Sequence, residues 1–268
     1  MVTSPEALSK RRLKNYWNFP DRNSNSTNVI MMKISIKGMI ETSLLDWDGK
    51  IVSTLYTPYC NFRCPYCQNA GLVLNPDQYE TIPFEAICNF ILSHQNWIDG
   101  ICLTGGEPCL FEDLPEFLKK IHNLGTKIKL DSNGTFPEML ERVIDMGLVD
   151  YVAMDIKAPL TFEAYKKSAR INSKELFDKV RESVNLIIHS EIDYEFRTTV
   201  VPGVHSGEDI LEIAREIEGA KKYALQNFSN RETMDPEFQK IVPYKIEELE
   251  EFRKLSLPYV QCCVVRGK

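Results

Sequence analysis

The sequence predicts an α/β protein built around a mainly parallel sheet. Two observations lead to this prediction: apolar runs of strand length recur from Ile51 onward, and stretches of helical periodicity separate them. Such alternation is typical of βαβ units with right-handed crossovers. Six units form either an open doubly wound sheet or an incomplete barrel, and 268 residues are enough for one such domain. In both folds, ligands bind at the carboxyl ends of the strands.

The predicted elements follow one another in a regular order. A short alternation of apolar and polar residues, Lys33–Gly38, is the first candidate strand. The six main strands are predicted at Ile51–Tyr56, Ile98–Leu103, Lys127–Leu130, Tyr151–Met154, Tyr194–Val201 and Lys222–Gln226. Helices are predicted between them at Pro83–Ser93, Asp113–Leu124, Pro137–Met146, Ser173–His189 and Glu208–Glu218. A last helix, Tyr244–Leu255, and the segment Pro258–Val265 complete the domain.

The first 30 residues differ in composition from the rest of the chain. They contain a short basic run, Lys10–Lys14, and a polar tract, Asp21–Asn28. Such composition is typical of a flexible extension. We therefore expect residues 1–30 to form an extension and residues 31–268 to form the domain.

Composition argues against several classes of protein. The net charge of −6 gives no electrostatic reason to expect a nucleic-acid or anionic-membrane partner. The longest apolar runs are far shorter than the roughly 20 residues that a membrane-spanning helix needs, and the amino terminus lacks the apolar core of a secretion signal. The chain is too long and too rich in ordinary core to need its eight cysteines as a disulfide framework. We expect a cytoplasmic protein with reduced cysteines.

Three cysteines follow the first main strand with the spacing of metal ligands. Cys60, Cys64 and Cys67 form a C-x3-C-x2-C pattern. A structural zinc ion takes four protein ligands, whereas a [4Fe–4S] cluster has four irons with one thiolate each. The pattern therefore predicts a cluster with one iron open to a ligand. The alternative is a zinc site completed by Cys109 or by the adjacent pair Cys262 and Cys263.

The second main strand ends in Gly105-Gly106-Glu107. Two glycines allow the backbone to approach a ligand closely because no Cβ intervenes. The carboxylate of Glu107 suits an ammonium group. The alternative is a simple turn before Pro108.

Polar residues also follow the third and fourth strands. Asp131 and Ser132 lie at the carboxyl edge of the third, where they can contact a small ligand. The alternative for the segment Leu130–Thr135 is an Asx-type turn followed by Gly134. Asp155 and Lys157 follow the fourth and point to the same face if extended, so they can hold a hydroxyl and a carboxylate. The alternative is a local ion pair of little stabilising effect.

The last two strands complete the series. Arg197 stands inside a β-branched run, which is unfavourable unless it faces the barrel mouth or has a partner. The sixth strand ends in Gln226-Asn227. Each motif alone is weak, but their position at successive strand ends predicts one shared ligand site.

Taken together, these motifs resemble the radical S-adenosylmethionine enzymes. Within that family, residues from about 35 to 265 are similar to the activases of glycyl radical enzymes, especially the activating proteins of anaerobic ribonucleoside-triphosphate reductase. The lead-in Lys37–Lys50 is part of the resemblance. It implies a partial (β/α)6 barrel that binds a [4Fe–4S] cluster and S-adenosylmethionine.

The resemblance also implies roles for single residues. Cys60, Cys64 and Cys67 would bind the cluster, and its free iron would take the amino and carboxylate groups of S-adenosylmethionine. The remaining contacts would divide as follows: Gly105, Gly106 and Glu107 with the amino group; Asp131 and Ser132 with the methionine end; Asp155 and Gln226 or Asn227 with the ribose; Lys157 with the carboxylate; the backbone near Tyr66 with adenine. Arg197 is a further candidate cofactor contact.

The implied reaction is reductive cleavage of S-adenosylmethionine to a 5′-deoxyadenosyl radical. The radical would abstract hydrogen from a glycine of a partner, a glycyl radical enzyme, with flavodoxin or ferredoxin as the one-electron donor. Two departures from the family pattern, Gln68 where many activases carry His and Tyr59 where Gly is common, leave a small molecule or a peptide or protein side chain open as substrate. A zinc-stabilised scaffold without activity is the second alternative. Cys262 and Cys263 are expected to be buried small apolar residues.

Overall fold

The fold is an open, curved sheet of eight strands that follow one another in chain order. The computed structural model describes residues 33–267, and the predicted extension, residues 1–30, lies outside them. The strands are β1 (Gly38–Ser43), β2 (Val52–Thr57), β3 (Gly100–Gly105), β4 (Lys127–Ser132), β5 (Tyr151–Asp155), β6 (Asp193–Val200), β7 (Tyr223–Asn227) and β8 (Cys263–Arg266). β1 pairs antiparallel with β2, and all later pairs are parallel. The predicted partial barrel of six βα units, β2 to β7, is confirmed.

Helices alternate with these strands. They are α1 (Ala70–Leu74), α2 (Phe84–Ser93), α3 (Leu114–His122), α4 (Pro137–Asp145), α5 (Phe162–Ser168), α6 (Lys174–His189), α7 (Gly207–Glu216) and α8 (Ile246–Ser256). α1 and α5 were not predicted from the sequence because five and seven residues are too few to show a helical period. Among the described residues, no helix combines the length and apolar character needed to cross a membrane.

One predicted strand is wrong. Over Lys33–Gly38 the structure has an isolated bridge between Ile36 and Ile82, and the true first strand begins at Gly38. β1 lies at the edge of the sheet and is largely exposed, so its residues lack the apolar pattern on which the prediction rested.

The two faces of the sheet have opposite character. Alternate residues of a strand point to opposite faces. One set, which includes Leu55, Leu103 and Phe196, packs with the helices into the main hydrophobic core. The other set lines the concave interior and includes four buried charged residues: Lys129, Asp131, Glu195 and Arg197. The interior of this partial barrel is therefore polar, unlike a filled barrel core.

The amino ends of the strands are closed by the loop between β1 and β2. Its Trp47 forms a small apolar cluster with Val52 and Cys102. The neighbouring Asp48 forms ion pairs with Lys222 and, at 2.6 Å, with Arg266 of β8. These contacts connect the loop at one edge of the sheet to the strands at the other edge.

Candidate active site

A cavity of about 300 Å³ lies at the carboxyl ends of the parallel strands. All site residues predicted from the sequence except Asn227, the alternative to Gln226, lie on its wall: Cys60, Cys64, Tyr66, Cys67, Gly105, Gly106, Glu107, Asp131, Ser132, Asp155, Lys157, Arg197 and Gln226. The parallel register brings the strand ends together. The roles of the single residues remain predictions, but their convergence on one cavity is a property of the fold.

The cysteine loop leaves β2 through an unusual backbone conformation. Tyr59 has a φ of 60°, in the left-handed region that non-glycine residues seldom adopt. Its N–H donates to the carbonyl of Leu72 at 3.1 Å, and its carbonyl accepts from the N–H of Glu107 at 2.7 Å. The position therefore requires a left-handed residue, which gives a physical reason why Gly is common there. Tyr59 adopts this conformation between two backbone hydrogen bonds.

The two glycines after β3 make room for this loop. A Cβ on Gly106 would lie 1.6 Å from the carbonyl oxygen of Tyr59, and one on Gly105 would lie 2.4 Å from the backbone of Thr57. The N–H of Gly106 donates to the carbonyl of Thr57 at 2.8 Å. The predicted close backbone approach is present, but its partner is the cysteine loop of the same chain. Contact of these glycines with a ligand remains a prediction.

The three thiols lie together in a desolvated setting. Burial raises the pKa of Cys64 to about 11, against a lowering influence from the ammonium of Lys157. Burial also raises the pKa of Cys60 and Cys67. The buried hydroxyl of Tyr66 lies beside the Cys64 thiol and finds no nitrogen or oxygen partner in the described residues. Buried thiols of this kind become thiolates on binding a metal centre, which supplies the compensating positive charge.

This donor set fits a cluster better than a single zinc ion. A structural zinc ion takes four protein ligands, and the cysteine loop supplies three. A [4Fe–4S] cluster instead offers a separate iron to each thiolate. Cys262 and Cys263 stand at the amino end of β8, the opposite edge of the sheet from the cysteine loop. They are therefore poorly placed to complete a site there.

The expectation that Cys262 is buried is wrong. Cys263 is buried at the start of β8, whereas the neighbouring Cys262 is exposed. The two differ because neighbouring residues in extended backbone point to opposite sides.

Glu107 is held by three donors behind the cysteine loop. Its carboxylate accepts from the hydroxyl of Ser132 at 2.9 Å, the N–H of Asn133 at 2.6 Å and the N–H of Cys109 at 3.1 Å. Burial raises its pKa to about 7 in spite of these bonds. An ammonium group next to this carboxylate would favour its ionised form. Ser132 thus orients Glu107, a contact that the sequence analysis did not predict.

Asn133 is a site residue that the sequence analysis missed. Its side-chain Nδ2 donates to Asn61 at 2.7 Å and lies 3.7 Å from the sulfur of Cys60. Its Oδ1 accepts from the N–H of Thr135 at 3.0 Å, so the expected Asx-type turn is present as well. The turn motif was the available signal, but its link to the cysteine loop depends on the fold.

A chain of alternating charges runs from the interior to the cavity wall. Lys129 contacts Asp131 at 2.7 Å, and Arg197 contacts Asp131 and Asp155 at 2.9 Å each. Lys157 then contacts Asp155 at 3.0 Å. We call these five residues the ion relay. Burial alone would raise the pKa of Asp131, but Arg197 and Lys129 hold it well below its ordinary value.

The relay explains two sequence predictions and adds one residue. Arg197 has the partners that its place in a β-branched run required. Asp155 and Lys157 do form the local ion pair proposed as the alternative, yet both also line the cavity. Lys129 was not singled out, because a lysine near the start of a strand usually reaches solvent.

At the end of β7 the structure distinguishes the two residues that were candidates for the ribose contact. Gln226 lines the cavity, whereas the Nδ2 of Asn227 donates to the carbonyl of Tyr244 at 3.0 Å. Gln68, the departure from the family pattern, lies on the cavity wall and donates to the carbonyl of Ser229 at 3.3 Å.

His205 supports the wall from behind. Its Nδ1 accepts from the N–H of Val201 at 3.1 Å, so its Nε2 carries the proton and donates to the carbonyl of Lys157 at 2.8 Å. Burial lowers its pKa, which favours the neutral ring. His205 therefore fixes the backbone of Lys157 and was not predicted from the sequence.

Comparison with known proteins agrees with this geometry. The profile of the Radical SAM superfamily matches residues 54–217, more than half of the chain. The chain belongs to the radical SAM superfamily. The cofactors of this superfamily are a [4Fe–4S] cluster and S-adenosylmethionine, as the sequence predicted.

Two relatives of this radical SAM protein differ in how far the similarity extends. A proposed glycyl-radical enzyme activating enzyme of Methanocaldococcus jannaschii is 34% identical over 238 residues, which are 88% of this chain and 97% of the relative. A GTP 3′,8-cyclase of Helicobacter pylori is 28% identical over 174 residues, which are 63% of this chain and 51% of the cyclase. The chain thus spans about half the length of the cyclase.

Solved structures support the radical SAM fold. The crystal structure of Streptococcus suis SuiB bound to S-adenosylmethionine is 15% identical, with a TM-score of 0.57. The match covers 78% of this chain and 48% of SuiB. At this level of identity the likeness concerns the fold alone.

Proposed function

We propose that this radical SAM enzyme installs a glycyl radical on a partner protein, a glycyl radical enzyme such as an anaerobic ribonucleotide reductase. The observation that supports this most is the similarity to the proposed activase of M. jannaschii, which extends over 97% of that relative. Similarity to the cyclase covers only half of the cyclase. The open edge between β1 and β8 is also compatible with entry of a peptide loop.

The cavity offers a place for each part of the cofactors. Cys60, Cys64 and Cys67 hold the cluster in this proposal. When bound together, the reduced cluster and S-adenosylmethionine supply a 5′-deoxyadenosyl radical that can abstract a hydrogen atom. The chain's own residues bind and orient the cofactor and keep water away from it.

The two charged groups of the amino acid end meet opposite charges on the wall. Glu107, held by three donors, takes the ammonium group together with the backbone of Gly105 and Gly106. Lys157 takes the carboxylate. Asp131 and Ser132 act on this end through the groups they contact, Arg197 and Glu107 respectively.

The nucleoside end lies along the other strand ends in this proposal. Asp155 and Gln226 contact the ribose, and the backbone near Tyr66 contacts adenine. The remaining partners follow from the chemistry: a glycine Cα–H in the partner protein and a one-electron donor such as flavodoxin or ferredoxin, in the cytoplasm. Residues 31–268 form the catalytic domain.

An electron-spin measurement tests the proposal. The reconstituted protein is incubated anaerobically with S-adenosylmethionine, a reductant and a glycyl radical enzyme from the same cell. We expect a glycyl radical signal on the partner. Cys64→Ala should abolish the signal and lose the cluster, whereas Cys88→Ala, a half-buried cysteine of α2 outside the cavity wall, should keep both.

Two other outcomes would contradict the proposal in different ways. Cleavage of S-adenosylmethionine without a glycyl signal would favour a small molecule or a side chain as substrate. A colourless protein with one zinc per chain, instead of about four irons, would favour a scaffold without radical chemistry.

A further inference from the structure

Lys129 is a buried lysine that the proposed chemistry does not use. Lys129 lies on the concave face of β4, where it is 1% exposed, and it does not line the cavity. Its ammonium contacts Asp131 at 2.7 Å and lies 3.8 Å from the sulfur of Cys102. A buried ammonium is costly, and a buried ion pair is weak evidence for added stability. The burial of this charge is therefore better explained by its effect on the electrostatics of the site than by a gain in stability.

The ion relay contains one more cation than anions. Lys129, Arg197 and Lys157 carry three positive charges, and Asp131 and Asp155 carry two negative charges. Lys129 compensates Asp131, so Arg197 is available to compensate Asp155. Asp155 is then shared between Arg197 and Lys157, so it neutralises only part of the positive charge of Lys157 at the other end of the relay. Without Lys129 the relay would be neutral.

The charges around the relay fall into two groups, one that balances internally and one that consists of carboxylates on the cavity wall. Glu195, on the same face of β6, is paired with Arg266 at 2.6 Å. Asp48 contacts both Arg266 and Lys222, so the two anions and two cations balance within one network. Two carboxylates on the cavity wall, Glu107 and Asp46, accept hydrogen bonds from uncharged donors, which stabilise a carboxylate without removing its negative charge. The extra cation is therefore a property of the relay itself, which reaches the cavity at Lys157, near Cys64 and Cys67.

We propose that Lys129 is a positioning residue that maintains a net positive ion relay and so strengthens binding of the carboxylate of S-adenosylmethionine. It acts through Asp131, Arg197 and Asp155 on Lys157 and does not touch the ligand. The inference rests on the proposed function only in assigning the carboxylate to Lys157. It makes no use of the partner protein.

Binding measurements with two ligands test this role. Wild type, Lys129→Met and Lys129→Gln are reconstituted anaerobically, kept with an oxidised cluster and titrated calorimetrically with S-adenosylmethionine and with decarboxylated S-adenosylmethionine. Both variants should bind S-adenosylmethionine roughly tenfold more weakly, as expected for one weakened charge-assisted contact. Both should bind the decarboxylated ligand within about twofold of wild type, because it lacks the group that the relay attracts.

The controls separate charge from structure. Lys127→Met, at the exposed start of the same strand, should bind both ligands like wild type. Lys129→Gln keeps a polar contact to Asp131 but not the charge, so normal binding by this variant would overturn the proposal. Equal weakening of both ligands, or loss of the cluster or fold in both variants, would make Lys129 a structural residue and would also overturn it.

This experiment is independent of the activase proposal. A missing glycyl radical on the partner would leave the binding result unchanged. Conversely, an unchanged affinity of Lys129→Met for S-adenosylmethionine would refute the proposed role of Lys129, and the glycyl radical assay would still test the activase proposal.

Discussion

At the scale of single residues, Arg197 is the centre of the interior charges. It contacts two aspartates, and each of these keeps a second cation. Burial alone would raise the pKa of Asp131 and Asp155, but the cations lower both pKa values below the ordinary 3.8. A group whose pKa is lowered on folding stabilises the folded state above its unfolded pKa. That stabilisation is lost as the pH falls through the folded pKa.

Arg197→Met should therefore destabilise the protein in a pH-dependent way. We expect a loss of about 3 kcal/mol at neutral pH, because two buried carboxylates lose a shared partner. The difference from wild type should shrink as the pH falls below about 4, where protonated aspartates no longer need the cation. Urea unfolding at a series of pH values measures both effects.

The matched control for this prediction is an exposed ion pair. Arg170 contacts Asp235 at 2.6 Å, but 48% of its side chain is exposed. Arg170→Met should cost less than about 1 kcal/mol because solvent screens the pair. A pH-independent loss in Arg197→Met would show that packing, and not charge, explains its effect.

At the scale of elements, the site depends on how the loops after β2 and β3 fit together. Their backbones are joined by hydrogen bonds from Gly106 to Thr57 and from Glu107 to Tyr59. This close approach requires that Gly106 have no Cβ and that Tyr59 be left-handed. The same contact places the cysteine loop against Glu107, so the cluster ligands and the predicted ammonium site are positioned together.

Gly106→Ala should disturb both loops. Its Cβ would overlap backbone atoms, which cannot move independently of the cysteine loop, and we expect a cost of about 3 kcal/mol. Iron content after reconstitution and the melting temperature should both fall. Gly38→Ala is the control, because its Cβ would meet Tyr56 at an ordinary 3.6 Å. Normal iron content in Gly106→Ala would contradict the tight fit.

At the scale of the whole molecule, the open sheet has two distinct ends. The cavity occupies the carboxyl ends of the strands, and the Trp47 loop with the Asp48 ion pairs occupies the amino ends, from which Asp46 alone of this loop reaches the cavity wall. This separation resembles the general division of barrels into a functional face and a stabilising face. We therefore expect changes at Asp48, which does not line the cavity, to affect stability without affecting ligand binding.

Asp48→Asn tests this division. Asp48 has a side chain that is 46% exposed, so losing its ion pairs should cost less than about 1 kcal/mol, and the loss should diminish at high salt. The affinity for S-adenosylmethionine and the iron content should remain those of wild type. A loss of the cluster in Asp48→Asn would show that the two ends are coupled.

The sequence by itself determined the alternation of strands and helices, the cysteine spacing and the polar residues at successive strand ends. These are local features: period-2 and period-3.6 patterns and strand boundaries can be read within short windows. Because parallel strands end at one edge of the sheet, these local features also predicted that Cys60, Glu107, Asp131, Asp155 and Arg197 lie in one region.

Only the tertiary structure decided which of these groups touch. The ion relay runs from Lys129 to Lys157. Ser132 and Asn133 donate hydrogen bonds to Glu107, and Gly106 packs against Tyr59. Each of these contacts joins residues on different strands or loops. Such contacts depend on strand register and sheet curvature, which long-range packing sets. The residues that form the site could therefore be predicted from the sequence, but the ion pairs and hydrogen bonds between them could not.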